Sequence, residues 1–293
     1  MNKNNLLYIL MCFAMLTWGM AWTSAKIVNE YLNYNNLVFL RFFVGVLTMI
    51  PFVIFKRFPF FEISNYTRFN ILIVGILFYL YNQCFFIATD KGMAGMGAVF
   101  VTTTNPIITL LITSLINKKI NLKDCVAIFL GLIGGCIILD VFSLGFDKIF
   151  LSDNIYFIFC SIIWGVMTVL MSKGQYEIES MLYIVSTYFI ATIIGFWYVD
   201  IDSISISMLF NTSFIIHFFI VCSAMSIGTS IYILASAKIG PVKSSTFIFS
   251  VPFIAMITAY FVLDEKIGFN IFLGGFISIL AIILINKKNN NLF

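Results

Sequence analysis

Polar side chains inside long apolar runs are the residues of this sequence whose chemistry stands out. Asn82, Gln83 and Asn105 are amides within such runs, and Arg41 is a charged side chain in the interior of another. A buried amide or guanidinium costs free energy unless it pairs with another group or faces a cavity. These residues are predicted to bind a small molecule, and packing against a neighbouring helix is the alternative for the amides.

Arg41 and His217 are the ionisable candidates. No Asp or Glu lies in the interior of an apolar run, so the sequence offers Arg41 no partner at membrane depth. It could snorkel to the membrane surface toward Glu30, bind a substrate carboxylate, or donate to backbone carbonyls. For His217, the only histidine, a hydrogen bond near the membrane surface is favoured over proton coupling.

Aromatic residues recur at helical spacing. Trp18 and Trp22 are four residues apart and share one helix face. Such a face can hold a flat ring or a cation, and contact with lipid is the alternative. The predicted substrate-binding residues are Trp18, Trp22, Arg41, Tyr79, Asn82, Gln83, Thr103, Asn105, Trp164, His217, Thr229 and Tyr232.

Two prolines, Pro106 and Pro252, lie inside apolar runs. Proline removes a backbone donor and clashes with the preceding helical turn. Both positions are therefore predicted to kink a helix and to act as hinges, and the polar run 102–105 could satisfy the freed carbonyls.

Groups for catalysis or metal binding are scarce. The sequence has one histidine, no H-E-x-x-H motif and no C-x-x-C motif among its six cysteines. Enzymes and metal sites need clustered acids, bases, nucleophiles or ligands. We therefore expect no enzymatic activity, no cofactor and no metal, and the net charge of +4 gives no reason to expect nucleic-acid binding.

The composition of the chain indicates that the helices carrying these residues lie in a membrane. Of the 293 residues 61% are hydrophobic and only 10% are charged, against about 25% charged in a soluble domain. The predicted fold is an all-α polytopic membrane protein, because the apolar runs are long enough to span a bilayer as helices. Ten transmembrane helices are predicted, at residues 6–25, 36–55, 70–89, 94–116, 124–139, 154–172, 181–199, 213–236, 241–263 and 268–286.

Basic residues predict the orientation of these spans, because basic loops resist translocation. With both termini in the cytoplasm, twelve cations lie inside: Lys3, Lys56, Arg57, Arg68, Lys118, Lys119, Lys123, Lys173, Lys238, Lys243, Lys287 and Lys288. Four lie outside: Lys26, Lys91, Lys148 and Lys266. Acidic residues, including Asp140, Asp147, Asp153 and Glu265, concentrate in the outer loops. A multi-pass protein of the plasma membrane, or of an inner membrane, is predicted.

An internal repeat relates the two halves. An offset of 146 residues aligns Trp18-Gly19 with Trp164-Gly165 and Pro106 with Pro252. Five spans are an odd number, so the copies, residues 1–146 and 147–293, are predicted to be inverted relative to each other. Inverted repeats are typical of secondary transporters, whose substrate site lies between the halves.

The sequence resembles the EamA branch of the drug/metabolite transporter superfamily. The resemblance rests on the two Trp-Gly pairs, on Arg41, on the two prolines, and on Glu265 followed by Gly274. The first repeat departs from the pattern, with Lys118 where the Glu is expected and Ala127 where the first Gly is expected. The second repeat has Thr187 opposite Arg41 and Ala281 at the later Gly position.

The resemblance implies an exporter or exchanger of small metabolites such as amino acids, working by alternating access. A quaternary-ammonium or drug exporter is the alternative, and a receptor or scaffold that transports nothing is a second one. The expected partners are a small-molecule substrate and the lipid bilayer, and the protein is expected to be a monomer or homodimer.

Overall fold

The chain folds into a bundle of helices in a computed structural model that describes residues 3–56, 62–118, 122–145 and 154–286. This part of the chain contains no strand. The helices are α1 (Lys3–Asn29), α2 (Tyr34–Val53), α3 (Asn65–Lys91), α4 (Ala94–Asn117), α5 (Leu122–Ile138), α6 (Ile155–Gly174), α7 (Ser180–Phe196), α8 (Thr212–Ile239), α9 (Pro241–Leu263) and α10 (Phe269–Asn286). Short helical turns, Val141–Leu144 and Ile206–Phe210, lie in connecting segments.

The length and polarity of the helices match a membrane. Seven of them, α1 to α4, α6, α8 and α9, are long and apolar enough to cross it, and α5, α7 and α10 have shorter apolar stretches. Large apolar side chains point outward, as Phe219, Phe261 and Phe269 do with at least 70% of each side chain exposed. Lipid is the solvent that such a surface requires. The protein is therefore a multi-pass membrane protein, as predicted.

Side-chain contacts define two ends of the bundle. At the proximal end, where α1 begins, Lys243 at the start of α9 donates to the Tyr8 hydroxyl over 3.0 Å. At the distal end, where α1 finishes, Lys26 donates to the Gly92 carbonyl just before α4, over 2.8 Å. The start of α4 and the start of α9 thus lie at opposite ends.

Helix packing between the halves follows a reciprocal pattern. Helix α1 packs against α8 and α9, and α6 packs against α3 and α4. Helix α2 packs against α7, and α5 packs against α10. When α6 to α10 are matched with α1 to α5 in order, each of these contacts recurs with the roles of the halves exchanged.

The glycines of the two Trp-Gly pairs make equivalent close contacts with the opposite half. A Cβ atom added to Gly19 would overlap the Ile254 side chain, and one added to Gly165 would overlap Ile108. Ile108 and Ile254 are themselves 146 residues apart. Each glycine therefore lets the first helix of one half approach the fourth helix of the other half closely.

Two residues in the left-handed backbone conformation mark a second pair of equivalent positions in the two halves. Lys118 ends α4 with φ 52°, and Asp264 ends α9 with φ 52°. This alignment places Lys118 opposite Asp264, whereas the sequence comparison sets Lys118 against the Glu265 position. Residues 119–121, which follow Lys118, lie outside the described residues.

Pro106 and Pro252 have different backbone settings. Pro106 is inside α4, which continues through it as an α-helix. Pro252 is inside α9, directly after a 3-10 segment, Thr246–Ser250, that separates two α-helical stretches of this helix. The helix type therefore changes just before Pro252 and does not change at Pro106. The hinge role of both prolines stays a prediction.

Several boundaries and loop residues also bear on the predictions. Helix α3 begins at Asn65 instead of residue 70, because the Ser64 hydroxyl caps it by accepting the Thr67 N–H over 3.2 Å. The predicted junction of the halves at residues 146 and 147 lies outside the described part of the chain. So do the loop charges Arg57, Lys119, Asp147, Lys148, Asp153, Lys287 and Lys288 used for the orientation.

Candidate functional site

A small cavity of about 40 Å³ lies at the centre of the bundle, between the two halves. A water molecule needs roughly 10–15 Å³ of such space, so the cavity holds only a few waters. Most of its lining is buried. The lining residues are Trp18, Ala21, Trp22, Arg41, Tyr81, Asn82, Phe85, Thr102, Asn105, Trp164, Met225, Thr229 and Ile248.

Arg41 is held at the cavity by helices α3 and α8. Its Nη1 donates to Asn82 Oδ1 over 2.7 Å, and its Nε donates to the Val221 carbonyl over 3.2 Å. The guanidinium carbon lies 5.3 Å from the Phe85 ring centre and 5.7 Å from that of Phe86. Arg41 is only 6% exposed, so the snorkelling prediction is wrong, because inward hydrogen bonds and ring faces replace the membrane surface.

The orientation of the Asn82 amide is fixed by its own helix. Its Nδ2 donates to the Phe78 carbonyl one turn earlier, over 2.8 Å, which leaves Oδ1 for Arg41. No carboxylate in the described part of the chain forms an ion pair with Arg41. The cavity therefore contains a buried cation whose side-chain hydrogen-bond partner is a neutral amide.

One polar atom in the lining, the acceptor Asn105 Oδ1, has no partner in the described structure. A second, the donor Trp164 Nε1, lies near the Tyr232 hydroxyl but forms no hydrogen bond of good geometry with it. Both residues are at least 96% buried. The neighbouring Trp18 differs, because its Nε1 donates to the Ala224 carbonyl over 3.1 Å. Since buried polar groups are rarely left unpaired, Asn105 points to a ligand or water in this cavity.

A π-helical turn, Ala224–Thr229, interrupts α8 beside the cavity. It places Met225 and Thr229 in the lining, and the Thr229 hydroxyl donates to the Ala224 carbonyl over 3.2 Å. Single π turns inside α-helices are often found at functional sites. No feature of the sequence predicts this turn.

Aromatic rings form one side of the cavity. The ring centres of Trp18 and Trp164 are 5.0 Å apart in an edge-to-face arrangement. Tyr232 lies behind them, 5.0 Å from Trp18 and 5.7 Å from Trp164, and is fully buried. Tyr232 therefore supports the two tryptophans from a second layer and does not line the cavity.

The remaining predicted site residues lie elsewhere. Gln83 donates to the Tyr79 hydroxyl and to Asn35 Oδ1, each over 2.9 Å, in a separate cluster of polar residues. The Thr103 hydroxyl donates to the Val99 carbonyl, and Thr103 borders an apolar groove between α4, α9 and α10. His217 Nδ1 lies 3.0 Å from Ser24 Oγ, away from the cavity lining.

The prediction of site residues missed some members of the lining, which include Tyr81, Phe85, Thr102, Met225 and Ile248. Thr102 could have been found, since it precedes Asn105 by three residues and so shares its helix face. Ile248 follows Thr102 by the repeat offset of 146 residues. Tyr81 and Phe85 could not be separated from the many other aromatic residues of the chain.

The distal end is closed by a carboxylate from the second half. Glu265 accepts the N–H groups of Ala94 and Gly95, each over 2.8 Å, at the start of α4. Lys26 Nζ lies 3.4 Å from the same carboxylate. A negative charge is stabilised at a helix N-terminus by free N–H groups and by the helix dipole. Glu265 is only 8% exposed and joins α1, α4 and the segment after α9.

The proximal end also has a carboxylate from the second half. Glu177 accepts the Ser64 N–H over 2.8 Å, and the Ser64 and Thr67 hydroxyls over 2.7 Å each. These hydrogen bonds lower the pKa of the exposed Glu177 carboxyl below its ordinary value of 4.5. Nearby, Lys56 pairs with Glu179. Glu177 and Glu265 thus bind the starts of two helices of the first half, at opposite ends of the bundle.

The described residues contain no group of three His, Cys, Asp or Glu side chains able to hold a metal ion. The cavity instead offers a cation, amides, hydroxyls and aromatic faces. These groups can bind a polar organic molecule by hydrogen bonds and ring contacts.

Comparisons with known proteins agree with the fold and with the repeat. The sequence pattern of the EamA-like transporter family matches twice, at residues 5–140 and 151–287. An uncharacterized transporter of Archaeoglobus fulgidus is 23% identical over 98% of this chain and 99% of its own length. A crystal structure of a protein with 11% identity has a TM-score of 0.63, with 94% of this chain and 96% of the other covered. The chain therefore belongs to the EamA-like transporter family, which confirms the resemblance found in the sequence.

Proposed function

We propose that this membrane transporter moves a small metabolite, such as an amino acid, through the central cavity by alternating access. It acts as an exporter or exchanger. One observation carries the proposal: the cavity lies between the halves, residues of both halves line it, and one lining atom, Asn105 Oδ1, is buried without a partner. A substrate bound to Asn105 and against the Trp164 ring would contact both halves at once.

Inverted repeats, with ten spans in two sets of five, are part of the proposal. The reciprocal packing supports them, because an arrangement related by a two-fold axis repeats every contact with the halves exchanged. The contacts of Gly19 with Ile254 and of Gly165 with Ile108 follow that rule. Such repeats commonly rock against each other around a substrate site at the midplane.

Alternating access requires that the two ends open in turn. The carboxylate of Glu265 at the distal end and that of Glu177 at the proximal end support this step. Each joins a loop of the second half to a helix start of the first half by hydrogen bonds that a small rotation of the halves would break. We propose that the distal contact opens in one state and the proximal contact in the other.

The orientation in the membrane is also proposed here. Described cations at the proximal end, including Lys56, Arg68, Lys118 and Lys243, outnumber those at the distal end, such as Lys26 and Lys266. By the positive-inside rule, the proximal end and both termini would face the cytoplasm.

A quaternary ammonium or drug substrate is the second candidate, supported by the rings of Trp18, Trp164 and Tyr81 around the cavity. Aromatic faces attract cations. The buried charge of Arg41 in the same lining repels them, and no carboxylate of the described lining offsets it. The metabolite is therefore proposed first.

The test is solute counterflow in proteoliposomes. Vesicles preloaded with one unlabelled amino acid at a time should accumulate the same labelled amino acid transiently, and unloaded vesicles should not. A receptor or scaffold would give no accumulation with any solute, and that result contradicts the proposal. An imposed pH gradient should not accelerate uptake strongly, because no described carboxylate lines the cavity.

A further inference from the structure

A row of polar side chains on α4 continues from the cavity toward the proximal end of the bundle. Asn105 lines the cavity, and Thr109 and Thr113 follow it at intervals of four residues. Residues four apart lie on the same side of a helix, and we call these three the proximal row. Helix α4 begins at the distal end, and eight residues of helix span about 12 Å. The proximal row therefore leads away from the cavity, toward the proximal end.

The side-chain oxygens of the proximal row differ from those of the neighbouring threonines in their hydrogen bonds. The hydroxyls of the three threonines at 102–104 each donate to the backbone carbonyl one turn earlier. Thr109 Oγ1, Thr113 Oγ1 and Asn105 Oδ1 are buried, and in the described part of the chain they have no partner. Thr109 is completely buried. Since buried hydroxyls are rarely left unpaired, these atoms point to a solute or water that reaches them in another conformation.

Thr109 lies where the two halves meet. A Cβ atom added to Gly165 of α6 would overlap Ile108 and would lie 3.5 Å from the Thr109 backbone nitrogen. One turn further along α6, the Thr168 hydroxyl is 3.1 Å from the Tyr232 hydroxyl of α8. Helices of the second half thus cover the proximal row in this conformation. A movement of the halves relative to each other would uncover it.

Helix packing alone does not require polar residues in the proximal row. The repeat offset of 146 residues places Val251, Ala255 and Ala259 of α9 at the equivalent positions of the second half. All three are completely buried, so apolar side chains fill the same place in the other half. The polar atoms of the proximal row therefore need a cause other than the contacts that the two halves share.

We propose that the proximal row forms one side of the substrate path between the cavity and the proximal end, a path that is closed in this conformation. Its free oxygens give a polar solute successive hydrogen-bond partners along the way. This inference rests on the proposed function, and it adds the route on the proximal side and two residues outside the cavity, Thr109 and Thr113, that set the rate of passage. The competing explanation is structural, in which both hydroxyls only fill space between helices.

Labelling of single cysteines tests the path. Thr109→Cys, Thr113→Cys and Ser114→Cys are made in full-length protein without the reactive native cysteines, and a charged thiol reagent is supplied on both sides of proteoliposome membranes. Ser114 is the control, because it is buried at the depth of Thr113 on another side of α4. The cysteines at 109 and 113 should react at least about tenfold faster than the one at 114, since a buried thiol reacts only when its surroundings open. Equal rates at all three positions would overturn the inference.

Thr109→Val separates the path from the structural explanation, because it removes the hydroxyl and keeps the shape of the side chain. Counterflow of the amino acid that exchanges fastest should slow by about two- to tenfold, the size of one hydrogen bond. The thermal unfolding midpoint should not fall, since the hydroxyl has no partner to lose. Thr103→Val is the control, because the Thr103 hydroxyl bonds the Val99 carbonyl and the residue borders an apolar groove, and it should exchange at the native rate. Unchanged counterflow in Thr109→Val, or a lower unfolding midpoint, would favour the structural explanation and contradict the inference.

The two measurements distinguish failure of this inference from failure of the proposed function. Counterflow by the native protein without faster labelling at positions 109 and 113 would refute the path alone. Faster labelling at both positions without counterflow of any amino acid would support an opening at the proximal end and contradict transport.

Discussion

The two halves contribute chemically different residues to the lining of one cavity. The first half supplies its charge and its amides, in Arg41, Asn82 and Asn105, and the second half supplies Trp164, Met225, Thr229 and Ile248. Only two lining positions recur in both halves at the repeat offset: Trp18 with Trp164, and Thr102 with Ile248. At the first of these positions the residue is conserved, and at the second its polarity changes.

This comparison distinguishes the helix-packing frame, which is similar in the two halves, from the cavity lining, whose residues differ between them. The reciprocal helix contacts need small residues at fixed points, so Gly19 and Gly165 are the same in both halves. The cavity lining does not share this packing constraint, and its residues differ between the halves. A duplicated frame can therefore enclose an asymmetric cavity.

Replacement of the paired glycines tests the symmetric frame and has the largest expected effect on stability. Gly19→Ala and Gly165→Ala each place a Cβ atom inside a branched Ile side chain. Each should lower the free energy of unfolding by roughly 1–3 kcal/mol, the usual cost of overpacking. Chemical denaturation in detergent measures both values, which should agree within about 1 kcal/mol if the contacts are equivalent.

Gly275→Ala in α10 is the matched control. Its added Cβ atom would meet Val99 at 3.4 Å, an ordinary contact, and alanine favours the helix. We expect no loss of stability there. A large cost at Gly19 with none at Gly165 would contradict the reciprocal arrangement of the halves.

The two ends provide a second comparison, which Glu265→Gln tests. The start of α4 has its N–H groups bound by Glu265, whereas the start of α9, at the equivalent place in the second half, is Pro241, which has no N–H. Loss of the charge at α4 should reduce stability by about 1 kcal/mol, the scale of a helix-terminus interaction. Thermal unfolding in low and high salt measures the change.

A second readout links Glu265 to opening of the distal end. Single cysteines introduced at Met93 and at Val242, both half-buried, in a variant without reactive native cysteines, report the distal and proximal ends by their labelling rates. Glu265→Gln should speed labelling at Met93 and leave labelling at Val242 unchanged. Faster labelling at both positions would indicate general loosening instead of an open distal end.

Much of this arrangement follows from sequence patterns with strong physical causes. Apolar runs predict the spans, because a bilayer leaves few alternatives to helices. Arg41, Asn82 and Asn105 were identified as candidates because polar side chains in apolar runs need partners, and the structure brings all three to one cavity. The repeat offset was visible in residues that packing preserves, Gly19 and Gly165 among them.

Other features depend on tertiary contacts and have no local signal. The π-helical turn at Ala224–Thr229 fits a closely packed neighbour, Trp18, whose indole donates to the Ala224 carbonyl. Tyr79 and Asn82 are three residues apart, yet Tyr79 contacts Gln83 and Tyr198, and Asn82 contacts Arg41. Helical spacing predicts the direction of a side chain around the helix axis only to within about a quarter turn. That precision is too low to tell a residue that lines the cavity from one that contacts a neighbouring helix.

The smallest expected effect concerns Glu177, the proximal counterpart of Glu265. Its carboxylate accepts three hydrogen bonds from Ser64 and Thr67, and they hold its pKa below the ordinary value of 4.5 in the folded protein. Since the folded-state pKa is lowered, the stabilisation is complete above about pH 4.5 and is lost as the pH falls through the lowered value. Thermal unfolding of the native protein and of Glu177→Gln between pH 6 and pH 3 should show a small difference that shrinks toward pH 3. A difference that stays constant over this range would mean that the Glu177 charge does not strengthen the proximal contact, and the similarity between the two ends would then be one of shape alone.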